Sequence, residues 1–361
     1  ERLQAHAIKV IPTGIQYGTV TAVLEGKPYE ITTLRKDTAC DGRYAKVEYT
    51  DSWEEDAARR DFTMNALSLD RHGVVYDYFT GLDDLDQHIV RFVGNAADRV
   101  KEDYLRILRL FRFHAWYGRG RVHGSHLEAC SEYVDHLEEL SGERIQQEML
   151  KLFAAPDPVS AAEAMEHIGA LQKVCPMLDT PLNLNRLRML LALEKQQKDI
   201  KPDALLRLAT LFSAKQAGEN EVKALAERWK FSKAQQQYFM TLLSWDNTLP
   251  ATTDKAAQKR AFRVLQKGYF FPVLMLNWVN YCQKADPADA DTFYKDLIER
   301  SQKWEMPILP VRGKDVLERG VTEGKQVGEL LKEMEMHWES NDYKPGRSDL
   351  LEWLNQKLES A

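Results

Sequence analysis

The sequence predicts an α+β fold in which a small β-containing head is followed by a long, all-helical remainder. Two observations support this prediction. Runs of β-branched and apolar residues between turn signals are confined to the first 80 residues, and apolar residues recur at helical spacing from about residue 98 onward. The chain has 361 residues, 44% of them hydrophobic, so it can bury substantial cores in two to four domains.

Strands are predicted at the start of the head. Residues 19–24 and 29–34 are apolar and β-branched, and the Gly/Pro turn at 25–28 between them indicates a hairpin. A further short strand is expected at 8–10, followed by a loop at 12–14. About three strands make only a small sheet, which needs packing partners.

The second half of the head is more polar. Residues 36–52 contain the turn dipeptide Asp41-Gly42 and predict a mobile loop. A short helix is expected from Ser52, because Glu55 stands at the capping-box position three residues later. Residues 74–78 predict one more short strand.

The helical part opens with apolar residues that fall on one face of a helix, which glycines then end. The apolar residues of that face are Tyr104, Leu108, Phe111 and Ala115, and the glycines are Gly118 and Gly120. Further helices are expected over residues 125–139, 143–154, 158–172, 182–197, 202–216, 219–229, 233–245, 286–298 and 325–339.

The net charge of −6 argues against a generally basic surface for nucleic acid, although it leaves room for a local patch. Residues 51–100 carry a net charge of −6, whereas residues 201–300 carry +4. The four cysteines lie far apart without a CxxC pair, so neither a zinc ribbon nor a disulfide framework is indicated. This cysteine usage predicts a cytoplasmic protein, and no apolar run reaches the roughly 18 residues of a membrane helix.

The densest polar cluster is Arg59-Arg60-Asp61-Phe62-Thr63-Met64-Asn65-Ala66. Guanidinium groups form a fork that suits phosphate, so one interpretation is a site for phosphate or ribose. The other interpretation is a helix end with solvated charges, and the residue types alone do not decide between the two.

A second cluster repeats every three residues, at Asp103, Arg106, Arg109 and Arg112. Residues three apart are neighbours on a helix, so the arginines form a slanting ridge beside the apolar face. A carboxylate accepts hydrogen bonds and a guanidinium only donates them. An Asp–Arg pair therefore complements cytosine and adenine, which present an amino donor beside a ring acceptor, and rejects uracil and guanine.

Taken in order, these motifs resemble the class II CCA-adding tRNA nucleotidyltransferases of the polymerase-β-like superfamily, over nearly the whole chain. Residues 59–66 match the ribose-recognising motif of that family, and Glu102-Asp103-x-x-Arg106-x-x-Arg109-x-x-Arg112-Phe113 matches its template motif. Further segments resemble the region after the first catalytic motif (11–20), the next strand (29–35), the flexible loop (41–43), the head–neck hinge (77–85), the helix that supports the template (143–145) and the tail (313–316 and 328–331).

The resemblance implies a role for each matched residue. Asp103 and Arg106 would face the Watson–Crick edge of CTP or ATP, and the nucleotide would be held by Arg60, Arg109 and Arg112. Asp61 and Asn65 would lie near the ribose. Glu30 is the candidate catalytic carboxylate, and a solvent-facing strand residue is the equally weighted alternative.

The resemblance also implies four parts: an incomplete nucleotidyltransferase head (1–80), a neck with the nucleotide-selecting template helix (81–155), a helical body (156–245) and a helical tail that binds tRNA (246–361). Its substrates would be CTP, ATP and the acceptor arm of tRNA, without an obligate protein partner. The expected reaction is template-independent addition of C, C and A to the tRNA 3′ end.

The sequence departs from the family in one respect. It lacks the Gly-Gly turn and the Asp-x-Asp pair that hold triphosphate and Mg²⁺. Because the chain starts at Glu1 without methionine, the Mg²⁺ ligands are expected upstream of residue 1, and activity depends on their presence in the full chain. The alternatives are a poly(A) polymerase, a CC-adding relative or a catalytically inactive tRNA-binding truncation.

Overall fold

The structure is a computed structural model that describes residues 2–41, 44–197, 200–212, 218–244, 255–282, 287–303, 305, 307–321 and 324–359. The chain divides into two compact units, Glu1–Gln236 and Gln237–Ala361. Within these ranges strands occur only near the N-terminus and helices follow, so the predicted α+β class is confirmed. The predicted division into head, neck, body and tail stays a prediction.

The first unit begins with helix α1 (Arg2–Ala5) and a three-stranded antiparallel sheet. The strands are β1 (Lys9–Gly14), β2 (Thr19–Leu24) and β3 (Lys27–Thr32), in the spatial order β1-β2-β3. Glu25 and Gly26 both have positive φ, as the two-residue turn of a tight hairpin requires. The predicted hairpin is therefore confirmed.

The prediction of a loop at 12–14 is wrong, because these residues belong to β1. An edge strand tolerates proline, since its outer N–H groups need no partner within the sheet. The pairing with β2 is irregular between Ile11 and Gly14, which is where Pro12 lies.

The prediction of a mobile loop at 36–52 is also wrong. Most of these residues form an antiparallel pair of strands, β4 (Arg35–Asp41) and β5 (Tyr44–Tyr49). Polar residues conceal these strands in the sequence. Lys36 faces Glu48 across the pair, with 3.8 Å between Nζ and Oε2, so two charged residues support each other as cross-strand neighbours. The predicted turn at Gly42 lies outside the described residues.

Helix α2 (Trp53–Ala58) starts where the sequence predicts it. The Ser52 side chain caps it by accepting a hydrogen bond from the Glu55 N–H at 3.2 Å. The strand predicted at 74–78 is confirmed at only two residues, in the short pair β6 (Ser68–Leu69) and β7 (Val75–Tyr76). Helix α3 (Gly81–Asp86) ends this region.

The helix predicted from about residue 98 is interrupted, because α4 (Ala96–Glu102) ends at Asp103 and α5 (Leu105–Tyr117) begins two residues later. Asp103 is extended, with φ −159° and ψ 107°, and its Oδ1 accepts a hydrogen bond from the Leu105 N–H at 3.1 Å. The carboxylate therefore competes with the helix for backbone donors, which explains the break.

The remaining helices of the first unit cover most of the predicted helical ranges. They are α6 (Gly124–Glu132), α7 (Gly142–Phe153), α8 (Pro158–His167), α9 (Ala170–Val174), α10 (Asn185–Gln196), α11 (Ala204–Ala209), α12 (Glu219–Trp229) and α13 (Lys233–Ser244), of which α13 crosses into the second unit. The single helix predicted at 158–172 is two helices, because Gly169 adopts positive φ between them.

Helix α5 forms the centre of the first unit. Its apolar face, including Leu108 and Phe111, is fully buried and packs against α7 and α8. Met149 of α7 and Met165 of α8 are fully buried as well. Because one face of α5 is fixed in this core, its polar ridge is held at a defined place on the surface.

The second unit contains α14 (Lys255–Cys282), α15 (Pro287–Lys303), α16 (Gly313–Leu317), α17 (Gly324–Ser340) and α18 (Arg347–Glu359). Helices α14 and α18 were not predicted, and α14 carries Pro272 in its interior, a residue that normally marks a helix end. One apolar cluster holds α16, α17 and α18 together, centred on Val316, Trp338 and Leu350. No helix in the described part of the chain is long and apolar enough to cross a membrane.

Candidate functional site

An open cavity of about 570 Å³ lies in the first unit, between the residues after α2, the start of α5 and the start of α7. Its lining has a net formal charge of +3, in a chain whose total is −6. The lining residues are Arg59, Arg60, Asp61, Asn65, Asp103, Leu105, Arg106, Arg109, Phe113 and Arg144. We call this cavity the arginine cleft.

The arginine cleft brings together six of the eight residues that the sequence singles out, from two segments about 40 residues apart. Arg112 lies one turn further along α5 and is not part of the lining. Glu30 lies elsewhere, on an exposed position of β3 opposite Thr21 of β2. Its role as a catalytic carboxylate stays a prediction.

Asp56 holds Arg59 and Arg60, two of the arginines that line the cleft. It is buried, and its Oδ1 accepts hydrogen bonds from Arg59 Nη2 at 2.7 Å and from the Arg35 N–H at 3.2 Å. Its Oδ2 accepts from Arg60 Nη2 at 3.0 Å. Burial opposes ionisation most strongly, but the hydrogen bonds and charge of Arg59, with those from Arg35 and Arg60, outweigh it and lower the pKa of Asp56.

Asp61 links the segment that follows α2 to helix α5. Its Oδ1 accepts hydrogen bonds from the Phe62 N–H and from Asn65 Nδ2, both at 2.9 Å. Its Oδ2 accepts from Arg109 Nε at 2.6 Å, and the same oxygen pairs with Arg109 Nη2. This paired arrangement is among the strong charge-assisted contacts, and it fixes Asn65 and Arg109 relative to each other.

Glu148 of α7 supports the arginine ridge from within the core. Only 6% of its side chain is exposed, and its Oε2 accepts a hydrogen bond from Arg112 Nε at 2.5 Å. Its other oxygen lies 3.8 Å from Arg109 Nη1. The Arg112 guanidinium also lies over the Phe113 ring, 4.1 Å from its centre.

Asp103 and Arg106 line the same side of the cleft but are held by different partners. Asp103 Oδ2 accepts a hydrogen bond from Arg144 Nη2 at 2.6 Å. Arg106 Nη1 pairs with Glu102 and donates to the Arg99 carbonyl at 2.9 Å, and its Nη2 donates to the Arg59 carbonyl at 3.1 Å.

This separate support leaves hydrogen-bonding capacity on both groups. A guanidinium has five N–H donors and a carboxylate has about four lone-pair sites. Asp103 uses one bond on each oxygen, and Arg106 keeps unused N–H groups. Within the arginine cleft, Asp103 can therefore offer acceptors and Arg106 can offer donors to a ligand.

The supporting acids Asp56, Glu102 and Glu148 were not among the predicted site residues. Asp56 and Glu102 had a local signal, since each stands three or four residues before an arginine that it pairs with. Glu148 had none, because its partner Arg112 is 36 residues away. Arg144 was quoted only as part of a supporting helix, and the structure gives it a direct contact with Asp103.

The described residues contain no group of three or more His, Cys, Asp or Glu that could hold a metal ion. The acids of the cleft are instead paired with arginines. The residues present therefore do not fit a metal site.

Two family models match the chain. One, described as the Poly A polymerase head domain, matches residues 1–91. The other, described as a probable RNA and SrmB-binding site of polymerase A, matches residues 122–181.

Two of the similar proteins match over almost the whole chain, and a third matches half of it. The mitochondrial CCA tRNA nucleotidyltransferase 1 of Mus musculus is 32% identical over 362 residues, covering 99% of this chain and 79% of its own length. The human protein of the same name is 31% identical, with the same coverage. The CCA-adding enzyme of Streptococcus sanguinis is 41% identical over 181 residues, which is 50% of this chain and 45% of that enzyme.

Solved structures share the fold. The Bacillus stearothermophilus CCA-adding enzyme in complex with CTP superposes with a TM-score of 0.71, at 24% identity, covering 98% of this chain and 84% of that one. The Thermotoga maritima CCA-adding enzyme complexed with tRNA gives 0.63 at 16% identity, covering 99% and 83%.

Proposed function

The chain belongs to the family of CCA-adding tRNA nucleotidyltransferases, and we propose that its arginine cleft selects CTP and ATP for addition of C, C and A to the tRNA 3′ end. The activity is that of a nucleotidyltransferase. The tRNA 3′-hydroxyl attacks the α-phosphate of the nucleotide, a new phosphodiester bond forms, and pyrophosphate leaves.

One observation supports the selective role of the cleft above the others. Asp103 and Arg106 line one cavity, and each is fixed by a partner other than its neighbour, namely Arg144 and Glu102. Cytosine and adenine present an amino donor beside a ring acceptor, which matches this acceptor and donor. Uracil and guanine present the reverse pattern and would face two unfavourable pairings.

The remaining lining residues suit the rest of a nucleotide. We propose that Arg60 and Arg109 of the lining, with Arg112 one turn beyond it, hold the nucleotide with its triphosphate, because guanidinium groups bind phosphate through paired N–H donors. Asp61 and Asn65 would contact the ribose, where a carboxylate and an amide can bond hydroxyl groups. Asp61 is fixed by Arg109 and in turn holds Asn65 Nδ2, so the remaining polar groups of Asn65 have a defined direction.

Nucleotidyltransferases of this kind generally use a divalent metal ion. We propose Mg²⁺ as that ion, with ligands outside residues 1–361, and we propose Glu30 as a further catalytic carboxylate. Because the described residues do not fit the ion, none of their roles is assigned through it.

The remaining proposals concern where tRNA binds and where in the cell the protein is located. We propose that the acceptor arm of tRNA binds to residues 246–361 as well as to the first unit. We also propose a cytoplasmic location, whereas the mouse and human relatives carry mitochondrial names. Cell fractionation with an antibody against the protein tests the location.

The experiment for the proposed function uses the full chain, tRNA lacking its 3′ CCA, and each nucleoside triphosphate in turn. We expect incorporation from CTP first and then one A from ATP, with little from UTP or GTP. Repeated addition of A would indicate a poly(A) polymerase, and addition that stops after two C would indicate a CC-adding enzyme. Incorporation of U or G as readily as C and A would contradict selection by the arginine cleft.

Arg106→Ala tests the residue assignment directly. We expect CTP and ATP incorporation to fall by about 5- to 150-fold, the range of a good base-recognition pair, while tRNA affinity stays constant. Asp103→Ala should behave in the same way. Arg71→Ala is the matched control, because it removes an exposed arginine outside the cleft. An equal loss of tRNA affinity would make Arg106 a tRNA contact instead.

A further inference from the structure

A short segment at the end of α5 exposes two aromatic rings and two arginines. Trp116 and Tyr117 form the last turn of α5 and are 42% and 47% exposed, respectively. Arg119 and Arg121 follow in the connection to α6 and are exposed as well. We call residues 116–121 the Trp116–Arg121 segment.

The backbone of this segment is fixed by neighbouring histidines. His114 Nε2 lies 3.1 Å from the Gly120 carbonyl and His88 Nδ1 lies 3.2 Å from the Tyr117 carbonyl, so each ring N–H donates to a carbonyl oxygen. The Arg119 N–H in turn donates to the His88 carbonyl at 3.2 Å. Burial lowers the pKa of His114, which keeps its ring neutral at neutral pH.

Two glycines permit this close arrangement. A Cβ at Gly118 would lie 2.2 Å from His114 Nδ1, and Gly120 has a φ of +70°, which side chains rarely adopt. The backbone at Gly118 and Gly120 therefore packs closely against the His114 ring. A surface segment that is fixed before it binds loses little conformational entropy on binding.

The aromatic rings are also held in place. Trp116 Nε1 donates to the Lys151 carbonyl at 2.8 Å, which orients the indole while its surface stays exposed. The Tyr117 ring lies 5.8 Å from the ring of Phe113, which lines the arginine cleft. Eight residues of helix separate Arg109 from Tyr117, a rise of about 12 Å, so the segment lies close to the cleft along α5.

Within the part of the chain that the structure describes, the guanidinium groups of the two arginines of the segment, Arg119 and Arg121, make no hydrogen bond or ion pair. Arg121 lines a cavity of about 410 Å³ together with Ser160, His167 and Glu163. Glu163, the acid in that lining, already pairs with Arg188.

We propose that the Trp116–Arg121 segment binds the unpaired 3′ strand of tRNA, a proposal that rests on the proposed function. Bases stack on Trp116 and Tyr117, and Arg119 and Arg121 bind the phosphates. Single-stranded RNA is recognised by such a combination of exposed aromatic rings and cations, independently of sequence. The segment also adjoins residues 122–181, which match the model of a probable RNA-binding site.

The test is direct binding of tRNA that carries its 3′ CCA, and therefore an unpaired 3′ strand, to the full chain, by fluorescence anisotropy at several salt concentrations. For the double variant Arg119→Ala/Arg121→Ala we expect weaker binding and a salt slope reduced by about 1.4, since each lost single-strand phosphate contact reduces it by about 0.7. Trp116→Ala should weaken binding by about 5- to 150-fold, as expected for loss of a stacked base, whereas Trp116→Phe should retain most of the affinity.

Arg71→Ala and Trp53→Ala are the matched controls, because each removes an exposed side chain of the same type outside the segment. Wild-type affinity and salt slope in the double arginine variant would overturn the proposal. An arginine effect without a Trp116→Ala effect would also overturn it and would assign the segment to the paired acceptor stem. Binding is read without catalysis, so a wild-type protein that binds tRNA but adds no nucleotide would contradict only the proposed function.

Discussion

The arginine cleft and the Trp116–Arg121 segment lie at opposite ends of α5 and hold their arginines in opposite states. Arg106 and Arg109 of the cleft are each paired with an acid, Glu102 and Asp61. Arg119 and Arg121 have no such partner within the described residues. Arginines that are paired keep one geometry and suit a nucleotide held in one orientation, whereas arginines without a partner among the described residues can supply charge along a phosphate backbone.

The comparison also separates two sources of rigidity. The cleft is fixed through side-chain ion pairs that reach into the core, as between Arg112 and Glu148. The segment is fixed through backbone bonds around His114, which leaves its side chains available. Substitutions in the two places should therefore fail in different ways.

The largest effect is expected from Glu148→Gln. It removes the buried negative charge beside Arg112 and Arg109, and breaking a buried ion pair costs about 3–5 kcal/mol of the free energy of unfolding. Urea denaturation measures this loss. Glu163→Gln is the control, because that acid pairs with Arg188 at the surface, where a pair contributes less than about 1 kcal/mol. Equal losses in the two variants would show that the buried acid does not anchor the cleft.

Gly118→Ala should come next and should act on the segment alone. The added Cβ would lie 2.2 Å from the buried His114 ring, so the backbone must move and tRNA affinity should fall about tenfold, near 1.4 kcal/mol. The preference for C and A should not change.

Gly124→Ala is the matched control for that substitution, because a Cβ there meets no atom within 4 Å and the residue has no positive φ. If Gly118→Ala altered the choice of nucleotide as strongly as it altered tRNA binding, the two ends of α5 would not be independent.

A smaller and more specific effect is expected from Arg144→Ala. Without the Arg144 guanidinium, Asp103 loses the contact that directs its Oδ2, so discrimination against U and G should fall by about fivefold or more. The ratio of incorporation rates for CTP and UTP measures it, together with tRNA affinity, which should stay unchanged. Arg144→Lys should retain part of the discrimination, since it keeps the charge but not the fork. An unchanged ratio would mean that Asp103 is oriented without Arg144.

The smallest effect concerns pH. Because the pKa of Asp56 is lower in the folded protein, its stabilising contribution is fully present above the unfolded value near 4 and is lost as the pH falls through the folded value. Denaturation between pH 5 and 3 should show a weaker pH dependence for Asp56→Asn than for the wild type. Asp86→Asn, at an exposed position, serves as control. Parallel curves for Asp56→Asn and the wild type would contradict the ionised, paired state of Asp56.

Short-range patterns in the sequence predicted some parts of the site. The spacing of Asp103, Arg106, Arg109 and Arg112 indicated one polar ridge. The three arginines form it on α5, whose opposite face is apolar and buried, whereas Asp103 is extended in the break just before that helix. The fold class followed in the same way from strand and helix periodicity. The hairpin β4–β5 was missed, since polar residues on a two-stranded pair give no apolar alternation.

The long-range contacts had no such signal. Asp61 and Arg109 are 48 residues apart in the sequence, and Glu148 and Arg112 are 36 apart. Neither separation is a spacing that predicts a contact. Helix α14 was missed for a related reason, because its interior Pro272 contradicts local propensity and only packing against neighbouring helices can compensate for it.

The sequence by itself determined the α+β class, the helical ridge and the residue types that could complement C and A. Tertiary structure decided which of those residues share a cavity, which acids hold the arginines of the cleft, and which arginines have no partner among the described residues. The physical reason is range. Periodicity and capping act over a few residues, whereas ion pairs such as Asp61–Arg109 and backbone anchors such as His114–Gly120 exist only after α5 has packed into the core.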